Sequence, residues 1–244
     1  MYEPVKISFG QYLGGFFNSG IAPTTRYLTE YVRRPLNQAI LWAPGRMVDL
    51  AEEMLAAWQR DDSRGKPTPG YTMPVILVAL AKDATPSGPE FNRAMGTPEY
   101  VVLPNDPKDR LFKLRTFTAD LRAQLAIAAH DEPTARALAS QVLLWLEAFP
   151  NRSFMATHRF AGFDLDWPVH VALPDQPAAL VPTDAKNLTL LTLDLTLRPT
   201  EPLYPAPRPA EPNDGLGDPE NADDPAGYPF LVQINANDQV IADP

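Results

Sequence analysis

The chain has 244 residues, a net charge of −9 and no cysteine. The missing cysteines exclude disulfides, thiolate metal sites and cysteine nucleophiles, and the acidic balance disfavours a protein that offers nucleic acid a basic face. An apolar content of 45% is enough for a hydrophobic core, whereas the 28 prolines favour long extended segments.

The N-terminal sequence does not have the pattern of a secretory signal. It lacks a basic segment followed by an apolar one, so we predict no signal peptide. No apolar run approaches the roughly 18 residues that a membrane helix needs. We therefore expect a protein that is made in a cytoplasm and does not enter a membrane.

Residues 1–45 are predicted to form an N-terminal arm with short helical pieces. Glycines such as Gly10 and Gly14 interrupt the start of this segment, and glycine is unfavourable inside a helix. Aromatic residues are frequent here and include Phe16 and Phe17. They could pack against the chain's own domain or dock on a neighbouring subunit, and the sequence leaves both alternatives open.

Residues 46–199 are predicted to form the core domain. Apolar residues at helical spacing in Gly45–Gln59 predict an amphipathic helix. The continuous apolar run Val75–Ala81 is typical of a strand that is covered on both faces. A long proline-rich loop is predicted at Ala84–Asp109, with a short strand beginning at Tyr100.

The middle of the core domain combines alternating and helical patterns. Alternation in Leu111–Ala128 predicts one long strand or a hairpin, although the second half also fits a helix. Asp131 is the expected N-cap of the next helix. Phe154–Leu173 predicts a pair of strands that bends near Gly162 or Pro168.

Asn187–Pro199 carries the clearest strand pattern and is expected to end the core domain. Leucines from Leu191 to Leu197 occupy every second position, which places them on one face. Leu190 has the opposite parity, so the switch predicts either a β-bulge or a point where the strand is covered on both faces. The proline-rich sequence after Arg198 is not expected to continue a central strand.

Residues 200–244 are predicted to be an acidic, proline-rich arm that ends in a short strand. Pro199–Pro229 contains nine prolines, and seven acidic residues stand against the single basic residue Arg208. Such a segment is expected to be extended rather than to bury a core. Alternation from Phe230 onward predicts a strand that either folds back on its own sheet or adds to the edge of another sheet.

The order of these elements predicts an α+β fold. Two main helices are expected to pack on a mostly antiparallel, twisted sheet, with extended N-terminal and C-terminal arms. Lys113 and Arg115 share a strand face and are expected to pair with Asp164 or Asp194, or to contact an acidic neighbour.

Residues with catalytic or metal-binding potential do not form a recognisable motif. His130, His158 and His170 lie outside the usual metal-binding spacings. Asp164 and Asp166 share one strand face and could act as an acid–base pair, although such carboxylates more often belong to a solvated face. The acidic sequence from residue 213 to residue 224 lacks the alternating ligands of a calcium loop. We predict no catalytic residue, no cofactor and no metal site.

The order of elements over residues 46–199 resembles that of neck and tail-completion proteins of tailed bacteriophages, especially tail terminators. The similarity includes Tyr71–Asp83, which precedes a proline-rich loop, and Leu193–Pro199, which closes the sheet. In that family an α+β fold packs helices on a twisted sheet, and copies form a ring that caps the tail tube. The family has no known catalysis, so the resemblance implies no active-site residues.

This resemblance implies a structural subunit of the virion. The expected protein is not an enzyme, forms a homo-oligomeric terminator or collar ring at the head–tail joint, and contacts neighbouring tail or neck proteins. DNA would pass nearby without specific binding, which fits the acidic balance. The alternative is a small cytoplasmic hydrolase that uses Asp164, Asp166 and a histidine. The residues proposed for contacts between subunits are Phe16, Phe17, Tyr71, Arg115, Leu203, Tyr204 and Phe230.

Overall fold

A computed structural model describes residues 2–43, 73–86, 99–104, 106–172, 178–182, 188–208 and 211–230. The predicted helix Gly45–Gln59 therefore lies outside the described residues. The chain divides into two compact units. The larger unit comprises Met1–Ala94, Phe117–His158 and Leu165–Glu201, and the smaller unit comprises Met95–Thr116, Arg159–Asp164 and Pro202–Pro244.

The described residues form four α-helices and eight strands, and strands dominate. In chain order the elements are α1 (Tyr2–Asn18), α2 (Arg26–Tyr31), α3 (Leu36–Ala39), β1 (Ile40–Trp42), β2 (Val75–Pro86), β3 (Glu99–Val102), β4 (Leu111–Ala129), α4 (Glu132–Glu147), β5 (Ser153–Phe160), β6 (Phe163–Ala172), β7 (Ala179–Val181) and β8 (Thr189–Leu203). No described helix is both long enough and apolar enough to cross a membrane.

The strands form one sheet in the order β1-β2-β4-β8-β6-β5, with β3 paired to β4 and β7 paired to β8. β1 runs parallel to β2, with Ile40 opposite Ile76. β2 with β4, β3 with β4, β6 with β8 and β7 with β8 are antiparallel. The prediction of helices combined with a mostly antiparallel sheet is therefore confirmed.

β2 is buried on both faces, as its apolar run predicts. Ile76 and Val78 belong to the main hydrophobic core of the larger unit, whereas Val75 and Leu77 belong to a second cluster. The ladder with β4 shifts after Leu80, because the next paired residue on β2 is Ala84. This irregularity in the ladder ends the regular apolar part of the strand.

β8 also contributes to both clusters, and the change occurs at the predicted position. Leu190 lies in the second cluster and Leu191 in the main core. The ladder with β7 runs through both residues without a shift, with Val181 opposite Leu190 and Leu180 opposite Leu191. Burial on both faces, rather than a bulge in this ladder, therefore explains the change of parity.

The expectation that the strand stops at Arg198 is wrong, because β8 continues to Leu203. Pro199 remains in register with Val169 on β6. Pro199 and Glu201 keep the inward positions of the alternation, since both are buried. A proline backbone fits an extended strand and removes only one hydrogen-bond donor, so the burial pattern outweighs this cost.

The expectation of a broken helical arm at the N-terminus is also wrong, because α1 is one continuous helix. Phe16 and the other inward residues of α1 belong to the main core. A Cβ at Gly14 would lie 3.2 Å from Leu36, so glycine relieves crowding there, whereas one at Gly10 would make an ordinary contact with Trp42 at 3.6 Å. Burial of the inward face of α1 in the main core outweighs the helix penalty of about 1 kcal/mol for each glycine.

Three further predictions are confirmed in the middle of the chain. Leu111–Ala129 is a single strand rather than a hairpin or a helix. Asp131 caps α4, since its carboxylate accepts a hydrogen bond from the Thr134 amide at 2.8 Å. β5 and β6 are joined by a turn at Gly162, which has a φ of 82° and so adopts a conformation that glycine favours.

Candidate functional site

A tight turn after β3 positions a pair of opposite charges in the smaller unit. The sequence from Asp106 to Asp109 suits such a turn, because Pro107 presets the backbone at its second position. The Asp109 amide donates to the Asp106 carbonyl at 3.1 Å. Asp109 has a φ of 47°, which aspartate tolerates better than most residues. Arg110 follows directly, so the turn allows its side chain to reach Asp106.

Arg110 and Asp106 form a two-pronged, buried ion pair. Arg110 Nε donates to Asp106 Oδ2 at 2.9 Å, and Nη2 donates to Oδ1 at 3.1 Å. The backbone amides of Arg110 and Lys108 donate to the same carboxylate. The exposed fractions of the two charged side chains are 3% and 0%. Burial alone raises the pKa of Asp106, but the hydrogen bonds outweigh it and hold the pKa below its ordinary value.

The remaining donors of Arg110 and Lys108 hold a segment from the C-terminal part of the chain. Arg110 Nη1 donates to Asp224 Oδ1 at 2.6 Å and to the Pro225 carbonyl at 2.8 Å. Lys108 Nζ donates to Asp224 Oδ2 at 2.6 Å. The hydrogen bond from Lys108 is the largest cause of the lowered pKa of Asp224, and Arg110 lowers it further. We call Asp106, Lys108 and Arg110 the Arg110 socket.

Residues 211–228, here called the tail loop, are folded rather than extended. The Asp214 amide donates to the Gly227 carbonyl at 3.0 Å, and the Gly227 amide donates to Asp214 Oδ1 at 3.1 Å. A Cβ at Gly227 would collide with the Asp214 carboxylate and lie 2.9 Å from Arg110 Cβ. Glycine is therefore required where the tail loop meets the Arg110 socket. Lys108 and Arg110 of the socket partly offset the negative charge of the tail loop.

Aromatic rings support the Arg110 socket within the smaller unit. The Arg110 guanidinium lies 5.3 Å from the centroid of the Phe112 ring, a distance that permits a cation–π interaction. Phe112 meets Phe160 edge to face at 5.2 Å, and Phe160 stacks on Tyr204 at 4.3 Å. Tyr204, which the sequence suggests as a contact between subunits, is therefore part of an aromatic stack within the chain.

The two N-terminal candidates for subunit contacts also have partners within the chain. Phe16 is 2% exposed, and its ring meets Trp145 edge to face at 5.7 Å. Phe17 is partly buried and meets Tyr31 edge to face at 5.7 Å. Phe16 and Phe17 therefore pack within the chain, which is one of the two alternatives that the sequence leaves open.

Three other candidates lie at the surface. Leu203 is 49% exposed and Phe230 is 48% exposed, and Arg115 is exposed on β4. Tyr71 lies outside the described residues. The segment before Phe230 pairs within the chain, since Tyr228 forms an isolated antiparallel bridge with Leu111.

The expected pairing of Lys113 and Arg115 with Asp164 or Asp194 is wrong, whereas their contact with an acidic neighbour stays a prediction. Asp194 accepts a hydrogen bond from Arg122 at 3.1 Å, and Asp164 forms an ion pair with Arg159 at 3.4 Å. Both acidic residues pair with arginines on neighbouring strands, which fits the cross-strand charge pairing expected for a solvated sheet face.

His158 and Asp166, two residues of the possible hydrolase, are not brought together. Asp166 accepts a hydrogen bond from Thr157 Oγ1 at 2.7 Å. Thr157 and His158 are consecutive on β5, so their side chains point to opposite faces of the strand. His158 is 8% exposed, whereas Thr157 is exposed. His158 and Asp166 therefore lie on opposite faces of this strand pair.

His158 belongs instead to a buried polar cluster in the larger unit. Its Nδ1 lies 3.9 Å from Glu201 Oε1. His158 Nε2 and Trp167 Nε1 are buried and have no hydrogen-bond partner among the described residues. Burial lowers the pKa of His158, although the nearby Glu201 carboxylate acts in the opposite direction. This environment favours the neutral imidazole.

Asparagine and aspartate side chains of the tail loop stabilise turns of their own backbone. Asn213, Asp218 and Asn221 each accept a hydrogen bond from the backbone amide two residues later, at 2.9–3.0 Å. This pattern is the Asx turn. Among the residues that the structure describes, no three acidic or histidine side chains form a group that could hold a metal ion.

The Arg110 socket is a buried polar site that was not predicted from the sequence. The basic residues Lys108 and Arg110 are visible in the sequence, and so is the acidic pair Asp223 and Asp224 before a proline. The basic and acidic residues are far apart in the chain, and strand periodicity predicts contacts only between neighbouring strands, so their contact could not be predicted from the sequence. The turn-forming sequence that begins at Asp106 was the available local signal.

Neither a protein-family model nor a curated protein matches the chain.

Proposed function

We propose that the protein is a non-enzymatic structural subunit of a tailed-bacteriophage virion, a tail-terminator-like or collar protein that forms a homo-oligomeric ring at the head–tail joint. In this proposal two main helices pack on the twisted sheet, and terminal segments bridge to neighbouring tail or neck proteins. The observation that carries it is the Arg110 socket, which orders an acidic, proline-rich segment with charge pairs instead of forming a reaction site.

The chemistry of the socket supports a role in holding chain segments. Asp106 already accepts hydrogen bonds from Arg110 and Lys108, and Arg110 Nη1 donates to Asp224 and Pro225. A catalytic acid or base must reach the proton that it transfers. A carboxylate saturated by buried donors is better suited to holding structure than to transferring protons.

The surface of the smaller unit supports contacts with other proteins. It exposes several large apolar side chains, with exposed fractions between 44% and 53%. Aromatic residues are favoured at the centres of protein interfaces. These side chains are Tyr100, Val102, Leu203, Leu216 and Phe230.

The alternative proposal, a small hydrolase, has less support. It needs a histidine to act with Asp164 or Asp166, yet Asp166 pairs with Thr157 on the face of β5 opposite His158. The buried environment of His158 contains Glu201, which would be a different acid–base pair from the one proposed from the sequence.

Electron microscopy of the purified full-length protein tests the first proposal. We expect closed rings of uniform diameter with a central channel wide enough for duplex DNA. Substitution of His158 and Asp164 by alanine, one at a time, should leave the rings intact. Particles without rings across a wide concentration range would contradict the proposal, and loss of a measured hydrolytic activity in both variants would favour the alternative.

A further inference from the structure

We propose that the Arg110 socket accepts the Asp224–Pro225 segment of a neighbouring copy of the chain when subunits assemble. The tail loop would then be exchanged between copies, while the described structure shows the same contacts closed within one chain. This inference rests on the proposed homo-oligomeric function and names the residues through which one copy binds the next.

The Arg110 socket is built without help from the tail loop. Asp106 receives hydrogen bonds from the Arg110 side chain, the Arg110 amide and the Lys108 amide, all within one short turn. These bonds orient the guanidinium and leave Nη1 directed at Asp224 and Pro225. A preorganised receptor binds any chain segment that presents the same carboxylate and carbonyl.

The bound segment complements the socket in charge and shape. Asp224 brings one carboxylate to two cations, since Lys108 Nζ and Arg110 Nη1 each lie 2.6 Å from a different oxygen. The Pro225 carbonyl accepts a further hydrogen bond at 2.8 Å. These contacts are identical whether the segment comes from the same chain or from another copy, so exchange costs little in contact energy.

The connection between β8 and the tail loop suits such an exchange. Tyr204–Arg208 follows the end of β8 without forming a helix or a strand, and it contains Pro205 and Pro207. Proline-rich segments are stiff and extended, at about 3 Å per residue. An extended connection gives the tail loop the reach to contact a neighbouring copy, and exchange of an identical element between copies is a low-cost route to oligomers.

The absence of cysteine allows a direct test with engineered disulfides. Leu111 and Tyr228 face each other in an antiparallel bridge beside the socket. Residues opposed in this way have Cα atoms about 4.5–5.5 Å apart, which a disulfide can span. The full-length variants Leu111→Cys and Tyr228→Cys are purified separately, mixed under conditions that permit assembly, and oxidised.

Exchange predicts a disulfide-linked dimer that contains one copy of each variant. Leu144→Cys serves as the matched control for random collisions, because Leu144 is 69% exposed on α4, and its mixture with Tyr228→Cys should give severalfold less dimer. Adding Arg110→Gln to the Leu111→Cys copy should reduce the mixed dimer severalfold. Adding it to the Tyr228→Cys copy should change nothing, because that copy supplies only the tail loop. A loss from both placements would contradict the exchange.

The double variant Leu111→Cys/Tyr228→Cys separates failure of the exchange from failure of the proposed function. An oligomer in which only disulfides within one chain form would overturn the exchange and leave the structural role standing. A protein that stays monomeric and forms only disulfides within one chain would overturn both. We expect the assembled fraction to contain several copies joined in series by disulfides between copies.

Discussion

Arg110 Nη1 donates to Asp224 Oδ1 at 2.6 Å and so joins two residues that are 114 positions apart in the chain. Arg110 also holds Asp106 through two side-chain hydrogen bonds. One buried guanidinium therefore links the turn after β3 to the acidic, proline-rich part of the chain. The order of the tail loop is expected to depend on this side chain.

Replacing Arg110 by alanine should lower the free energy of unfolding of the smaller unit by about 3–5 kcal/mol, because it leaves the buried Asp106 carboxylate without its partner. Urea unfolding followed by circular dichroism measures this change. The matched control is Arg122→Ala, because Arg122 and Asp194 form an ion pair that is about half exposed. That variant should lose less than about 1 kcal/mol, and equal losses would contradict the assigned role of Arg110.

Replacing Gly227 by alanine should destabilise the tail loop, because the added methyl group would meet the Asp214 carboxylate and Arg110 Cβ. An overpacked site of this kind typically costs about 1–3 kcal/mol. Limited proteolysis should then cut within residues 211–228 faster than in the wild type. Unchanged cleavage would show that the loop does not need the close approach at Gly227.

Replacing Gly15 by alanine should instead stabilise the protein. Gly15 is exposed on α1, and a Cβ there would make an ordinary contact with Trp145 at 3.8 Å. Alanine is favoured over glycine inside a helix by about 1 kcal/mol, so the melting temperature should rise. A fall in melting temperature would contradict a continuous helix at this position.

Stability should depend on pH through His158. Burial places the folded-state pKa of His158 below its ordinary value of 6.5, so the unfolded chain binds a proton more readily. This contribution to stability is complete above the ordinary pKa and is lost as the pH falls toward the folded-state pKa. Urea unfolding between about pH 7 and about pH 5 measures the slope. His158→Gln should flatten it, and an unchanged slope would assign the dependence to other groups.

Leu190 and Leu191 provide a test of the two hydrophobic clusters. The two side chains are 0% and 1% exposed and lie on opposite faces of β8. Replacing either leucine by alanine should therefore cost about 2–5 kcal/mol. A strand covered on one face only would tolerate Leu190→Ala with little loss, and that result in urea unfolding would contradict burial of both faces.

The sequence predicted those parts of the fold that depend on local patterns. The apolar run of β2, the alternation of β4, the Asp131 cap and the parity switch at Leu190 are all local signals, and each corresponds to an observed feature. Pattern and capping rules act over a few residues, which is why these predictions succeeded.

Tertiary contacts decided the features that the sequence did not predict. The glycines of α1 appear helix-breaking until the burial of its inward face in the main core is known. Pro199 appears to end a strand until its position opposite Val169 is known. Arg110 lies in a short basic stretch of the sequence, and its partner Asp224, far along the chain, could not be predicted from that stretch.

Sedimentation velocity of the purified full-length protein across a wide concentration range tests the proposed function most directly. A ring subunit should give one discrete species whose mass is a fixed multiple of the 26.9 kDa chain, and this species should persist on dilution. A single species with the mass of one chain at every concentration would contradict a homo-oligomeric structural role.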